Sequence, residues 1–322
     1  MEPLKIHLFG RLRLYRGERS LDRFPTVKAQ HLFCYLVLRR RQSHSRQALA
    51  ALLWGDKPES QARHCLRTTL SLLREFLEGN GDTRLIREND HLGFNTDSDY
   101  WLDVEAFEAG LHSAPHGRVY TLPIENPRLS ASSASHSLNS EAAGRLAQAV
   151  ALYEGNLLPD CYEEWCIRER ERLQELLLAA LTQLVGYYRQ QGCYTEALSC
   201  GRHILAIDPL LESVHREVMG LYSLAGERPA AVRQYYLCRG LLARELGVEP
   251  MAETTALYHQ LCQNGEVIGD HPLPAVQTPT LATLGDTRHE LRSAQAEFQQ
   301  LAVRCQRAAE GLEGVLQALS HF

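Results

Sequence analysis

Apolar residues recur at two periods along this chain, and the change from one to the other maps its elements. At the front, Leu4, Ile6 and Leu8 alternate with Lys5 and His7. After Gly10, Leu12 and Leu14 alternate with Arg11 and Arg13, and Arg16-Gly17-Glu18 reads as a turn. A small antiparallel sheet therefore opens the chain. Pro25 to Arg40 then reads as a helix, with Leu32, Tyr35, Leu36 and Leu38 for bulk and Arg39-Arg40-Arg41 at its end, where cations suit the helix dipole. Ser45 is placed to cap a short helix from Arg46 to Leu53, which Gly55 and Pro58 stop. A third helix, Ser60 to Leu77, carries two patterns at once. Leu66, Leu70, Leu73 and Leu77 make one stripe, and Gln61, His64, Thr68 and Ser71 lie opposite, with Arg63, Arg67 and Arg74 along the sides. Arg84 to Arg87 and His91 to Asn95 then read as a hairpin closed by Glu88-Asn89-Asp90.

Sheet, three helices and hairpin is the order of a winged helix-turn-helix, with the hairpin as wing. Residues 113–141 change to loop composition, including Ser130-Ala131-Ser132-Ser133-Ala134-Ser135. Helical periodicity returns near Ala142 and runs to about Cys262. Within it, Leu184, Tyr188, Gly192 and Ala197 recur as Val218, Tyr222, Gly226 and Ala231, each 34 residues later. That is the tetratricopeptide period: an aromatic fills the gap between two helices, Gly turns the chain, and Ala allows close approach. After a proline-rich linker, Leu284, Leu291, Phe298, Cys305, Leu312 and Leu319 alternate with Thr287, Ala294, Leu301, Ala308 and Val315 at coiled-coil spacing. Leu291, Phe298, Leu301 and Leu312 would carry that seam, either in a homodimer or folded back along the repeat domain. The expected fold is mainly α: a winged helix with a small N-terminal sheet (1–110), an insertion (111–141), a tetratricopeptide-like domain (142–263), a linker (264–285) and a coiled-coil helix (286–322).

Charge sharpens this map. The chain carries a net −5, but residues 1–87 carry +9 and the remainder −14. A basic head on an acidic body is what a protein needs when only the head meets a polyanion. Nine cysteines lie scattered, without CxxC pairs or zinc spacing, so no disulfide framework, metal site or cofactor is expected. Cys161 and Cys166, beside Trp165, read as packing residues, with redox sensitivity the alternative. The start, MEPLKIHLFG, is no signal peptide, and the longest apolar run, Leu32 to Leu38, is too short to cross a membrane. A cytoplasmic location is expected. No HExxH, GxSxG or glycine-rich phosphate loop occurs, so no enzyme is expected.

Further residues resemble a known family. Phe24 to Asn95, with Tyr100-Trp101-Leu102-Asp103-Val104-Glu105-Ala106-Phe107 downstream, is similar to the N-terminal region of SARP-type bacterial transcriptional activators. Ala149 to Asp160, Glu163-Glu164-Trp165 followed by Arg168-Glu169-Arg170, and Glu245 to Pro250 resemble their bacterial transcriptional activator domain. The likeness covers residues 1–263. It implies an OmpR/PhoB-type DNA-binding domain that binds direct repeats near promoters. It also implies a loop before the recognition helix, here Trp54, Asp56, Lys57 and Glu59, that faces RNA polymerase. The 113–141 insertion and the C-terminal heptads depart from the pattern.

The candidate chemistry follows. Gln61, His64, Arg67, Thr68 and Ser71 are candidates for contact with base edges of double-stranded DNA, Arg67 through guanine O6 and N7. Arg39, Arg40, Arg41, Arg46, Arg63, Arg74, Arg84 and Arg87 are candidates for phosphate contact. A small-molecule or peptide effector on the repeat domain stays open. The competing reading is an interaction scaffold in which the repeats do the work and the winged helix docks protein.

Overall fold

Leu4 and Ile6 are fully buried while Lys5 between them is exposed, and this alternation sets β1 (Leu4–His7) on the core. We describe a computed structural model, and it defines residues 3–21, 23–77, 85–88, 90–112 and 138–263. β1 pairs antiparallel with β2 (Arg13–Arg16), which turns through Gly17, at φ 58°, into β3 (Arg19–Ser20). A strand that the alternation did not reveal, β7 (Tyr100–Leu102), adds parallel to β1, giving the order β3-β2-β1-β7. Three residues are too few to show a period.

The helix-turn-helix lies between β3 and β7. Helix α1 (Val27–Leu38) is shorter than expected. Thr26 caps it by accepting a hydrogen bond from Ala29 N at 3.0 Å, and Arg39 leaves helical geometry. Ser45 caps α2 (Arg46–Trp54) through Ala48 N at 3.1 Å. Helix α3 (Glu59–Leu77) starts one residue before the expected Ser60, so that serine lies in its first turn. The wing comprises β5 (Leu85–Glu88) and β6 (His91–Phe94). It gains a third strand, β4 (His44–Ser45), in the order β4-β6-β5.

The helical part follows as α4 (Asp103–His112), α5 (Ser140–Leu152), α6 (Glu164–Gln190), α7 (Tyr194–Ile207), α8 (Glu212–Leu224), α9 (Arg228–Glu245) and α10 (Ala252–Gln263). Gly192 and Gly226 turn α6 into α7 and α8 into α9 with φ of 73° and 77°, a left-handed conformation that costs glycine nothing. Ala197 and Ala231, at matching places in the two pairs, are fully buried.

Residues Met1–Gln263 pack as one unit. The main apolar cluster among the described residues runs from Leu4 on β1 to Leu221 on α8, with smaller clusters around Leu146 and Met219. Aromatic side chains meet at the seam between the winged helix and the helical part. Phe9 meets Phe107 at 5.4 Å and Tyr153 at 4.5 Å, and Tyr35 of α1 meets Trp165 of α6 at 5.4 Å. The backbone is tied there too: Leu158 N donates to Leu8 O at 3.1 Å and Gly10 N to Asn156 O at 3.0 Å. The heptad residues Leu291, Phe298, Leu301 and Leu312 lie outside the described residues, as do the linker 264–285 and most of the insertion.

Candidate nucleic-acid interface

Helix α3 separates its two patterns as the sequence spaces them. Leu66, Leu70, Leu73 and Leu77 are each 3 % exposed or less. Burying each is worth about 1.5–3 kcal/mol, so this stripe anchors the helix. Gln61, His64, Arg67, Thr68 and Ser71 are all exposed. Among the described residues no acidic group pairs with Arg67 or Arg74. Thr68 Oγ1 donates to His64 O at 3.2 Å, which ties down the hydroxyl hydrogen and leaves the methyl group and a lone pair for a ligand. Arg63 pairs with Glu59 at 2.5 Å one turn earlier, both side chains more than half exposed. The solvent-facing surface is therefore polar at its centre and cationic along its side.

Several phosphate candidates are placed differently from expectation. Arg40 is a correction. Its side chain is 7 % exposed, with Nε 3.1 Å from Glu105 and an amino group 3.6 Å from Glu108, both on α4. Nε lies close without the alignment of a hydrogen bond, so that contact is coulombic. A buried guanidinium facing two carboxylates has no face left for a phosphate. Arg39 lies 3.4 Å from the buried Glu169 of α6, and Arg41, 82 % exposed, lies 3.8 Å from Glu105. Arg172 closes the lattice at 2.5 Å from both Glu108 and Glu169. The triple-arginine turn thus faces the helical part of the same chain. Its signal was present in the sequence: Glu105 and Glu108 stand three apart, on one helical face.

The same holds elsewhere along the seam. Lys28 pairs with Glu163 at 2.9 Å, Arg13 with Glu154, and Arg11 with Asp160 at 3.8 Å. Much of the head-to-body charge asymmetry is complementary across an internal interface. Asp103 adds a buried carboxylate that accepts from Leu8 N at 2.7 Å, Phe9 N at 2.9 Å and Val104 N at 2.7 Å. Burial outweighs those three donors and pushes its pKa up to about 6.

Arg46, partly buried, opens α2, and its backbone N–H donates to Asp90 O at 2.9 Å beside the wing. Arg87 lies on β5, and Arg84 falls outside the described residues. In the loop before α3, Trp54 is a second correction. It ends α2 at 7 % exposure, so its indole belongs to the core. Asp56 and Lys57 are exposed. Glu59 is exposed as well, and accepts from Gln47 at 3.1 Å in addition to its pair with Arg63.

Comparison with known proteins places this arrangement. Residues 126–262 match the bacterial transcriptional activator domain. The chain is 26 % identical over 283 residues to the regulatory protein AfsR of Streptomyces griseus, covering 85 % of this chain and 26 % of that protein. The chain is similar to the SARP-type bacterial transcriptional activators, and the match to their activator domain lies in its helical part. A second relative, the transcriptional regulatory protein MoaR1 of Mycobacterium tuberculosis, is 27 % identical over 253 residues, covering 73 % of this chain and 72 % of the other. A solved structure of Mycobacterium tuberculosis EmbR in complex with a low affinity phosphopeptide has a similar fold, with a TM-score of 0.60 at 19 % identity. That match covers 83 % of this chain and 67 % of the other. The chain spans about a quarter of the length of AfsR. Among the described residues no helix is long and apolar enough to cross a membrane, and no cluster of His, Cys, Asp and Glu has the form of a metal site.

Proposed function

We propose that this chain is a sequence-specific DNA-binding activator that lays α3 in the major groove of promoter DNA. One observation supports the reading above others: Gln61, His64, Arg67, Thr68 and Ser71 face solvent together on a helix anchored by its opposite stripe. In this reading Arg67 pairs with guanine O6 and N7, and Thr68 sets its methyl against a thymine. Arg46, Arg63, Arg74 and the wing arginines Arg84 and Arg87 contact phosphates. Arg63 leaves Glu59 to do so, at small cost, because an exposed pair of this kind is worth about 0.3–0.5 kcal/mol. The short loop carrying Asp56 and Lys57 faces RNA polymerase, with Glu59 at its edge. Two copies sit side by side on direct repeats, joined through the heptad residues, and the repeat domain receives an effector.

The experiment is a binding measurement on promoter fragments, with selection from genomic DNA to find the preferred site. Arg67→Ala with Thr68→Ala should abolish the preference between the selected site and a scrambled one while residual salt-dependent binding remains. An unchanged preference would remove α3 from the reading. A full chain with no DNA affinity at low salt, yet a stable protein partner, would favour the scaffold.

A further inference from the structure

The segment joining the winged helix to α6 is held more tightly than a linker requires. Arg170 donates to Leu157 O, Leu158 O and Cys161 O at 2.8, 2.7 and 2.9 Å, gathering three carbonyls onto one guanidinium. Leu158 sits at φ 42°, a left-handed conformation that a side chain disfavours, and its N–H is spent on Leu8. This clamp sets Cys161 beside Cys166, which stands in the first turn of α6: the Arg170 nitrogen that holds Cys161 O also faces the Cys166 sulfur. His31 of α1 faces Cys161 from the winged-helix side, and its Nδ1 lies 3.2 Å from Glu163 Oε1, which also holds Lys28. Arg170 reaches Cys166 Sγ at 3.9 Å. Cys161 and Cys166 are themselves buried, at 4 % and 0 % exposure, beside Tyr162, which is 80 % exposed.

We infer that Cys161 and Cys166 are a reversible thiol oxidation site, which a peroxide converts to a disulfide at the seam between the winged helix and the helical part. The two thiols are prepared unequally. The neighbouring Cys166 thiol, with help from His31, outweighs burial and draws the Cys161 thiol down to about 5, while the closeness of Cys161 and burial push Cys166 up. Cys161 is thus the attacking thiolate and Cys166 the resolving thiol. The Cys161 sulfur attacks one peroxide oxygen, the O–O bond breaks, and the leaving oxygen takes a proton and departs as water. The resulting sulfenic acid condenses with the Cys166 thiol, forming the S–S bond and releasing a second water. The two sulfurs together lose two electrons, the peroxide gains them, and an external dithiol reverses the change. Closing the bond removes the anionic sulfur that His31 faces from α1, so oxidation weakens a tie holding the helix-turn-helix to the rest of the chain.

The test uses the full chain. Trypsin releases Leu146 to Arg168 as one peptide holding both cysteines and no other. After hydrogen peroxide and alkylation, this peptide should appear two hydrogens lighter and unalkylated, and dithiothreitol should restore two alkylatable thiols. Cys161→Ser should give no such species. His31→Gln should shift the pH dependence of oxidation upward, and NMR should show His31 titrating lower in oxidised wild-type protein. Both thiols remaining alkylatable, at a peroxide dose that consumes the exposed Cys193 and Cys262, would overturn the proposal. So would Cys161 accumulating as sulfinic acid beside a free Cys166. Both readings use wild-type protein, so neither depends on a variant folding.

Discussion

Replacing Arg40 separates two roles that the sequence alone would exchange. Its guanidinium is buried between Glu105 and Glu108, whose side chains are 33 % and 22 % exposed. Breaking a fully buried pair costs about 3–5 kcal/mol, mostly because the surviving charge is stranded. Here the survivors retain water, and Arg172 and Arg41 stay near them, so Arg40→Ala should cost roughly 2–3 kcal/mol. For a unit of this size that lowers Tm by about 5–10 °C, at roughly 2–4 °C per kcal/mol. Urea denaturation of wild type and variant measures the loss directly, with the slope checked for a change in cooperativity. Adding Glu105→Gln and Glu108→Gln should restore much of the loss, because uncharged amides need no cation. A phosphate-gripping arginine predicts the reverse pattern. Stability would stay within about 0.5 kcal/mol of wild type, while the dependence of log binding constant on log salt would flatten by about 1. Finding that pattern would refute the placement of this side chain.

Arg67→Ala should weaken binding to the preferred DNA site by about 1–3 kcal/mol and leave Tm almost unchanged, as titration at fixed salt and a thermal melt would show. Leu73→Ala, at a fully buried position on the same helix, should cost about 2–5 kcal/mol in denaturant stability. The Asp103 carboxyl, pushed up to about 6 from an ordinary 3.8, should show that midpoint by carbon NMR. Folding holds this proton more tightly than the unfolded chain does. Its contribution to stability is therefore full below pH 4 and lost as pH rises through about 6. Truncation after Gly269 should convert a dimer to a monomer in light scattering; equal masses for full-length and truncated chains would remove the heptad residues from dimerisation.

The division between sequence and structure follows from the range of each interaction. Alternating Leu4, Ile6 and Leu8, the leucine stripe of α3 and the 34-residue spacing of Gly192 and Gly226 were legible because a half-buried strand or helix must repeat its apolar residues at its own period. The caps at Thr26 and Ser45 are equally local: each hydroxyl bonds a backbone N–H three residues on, although only Ser45 was foreseen. Strands β4 and β7 were not legible, because two or three residues show no period and take their conformation from the strands they join. Charge misled for a related reason. Composition places cations on the head but does not say what they face. The pairing of Arg40 with Glu105 and Glu108, and of Lys28 with Glu163, arises only when α4 and α6 fold against α1. The sequence by itself determined which helix has an outward polar face. Tertiary structure decided which arginines remain for that face, because electrostatic partners are chosen by proximity in space, and segments more than sixty residues apart supply them.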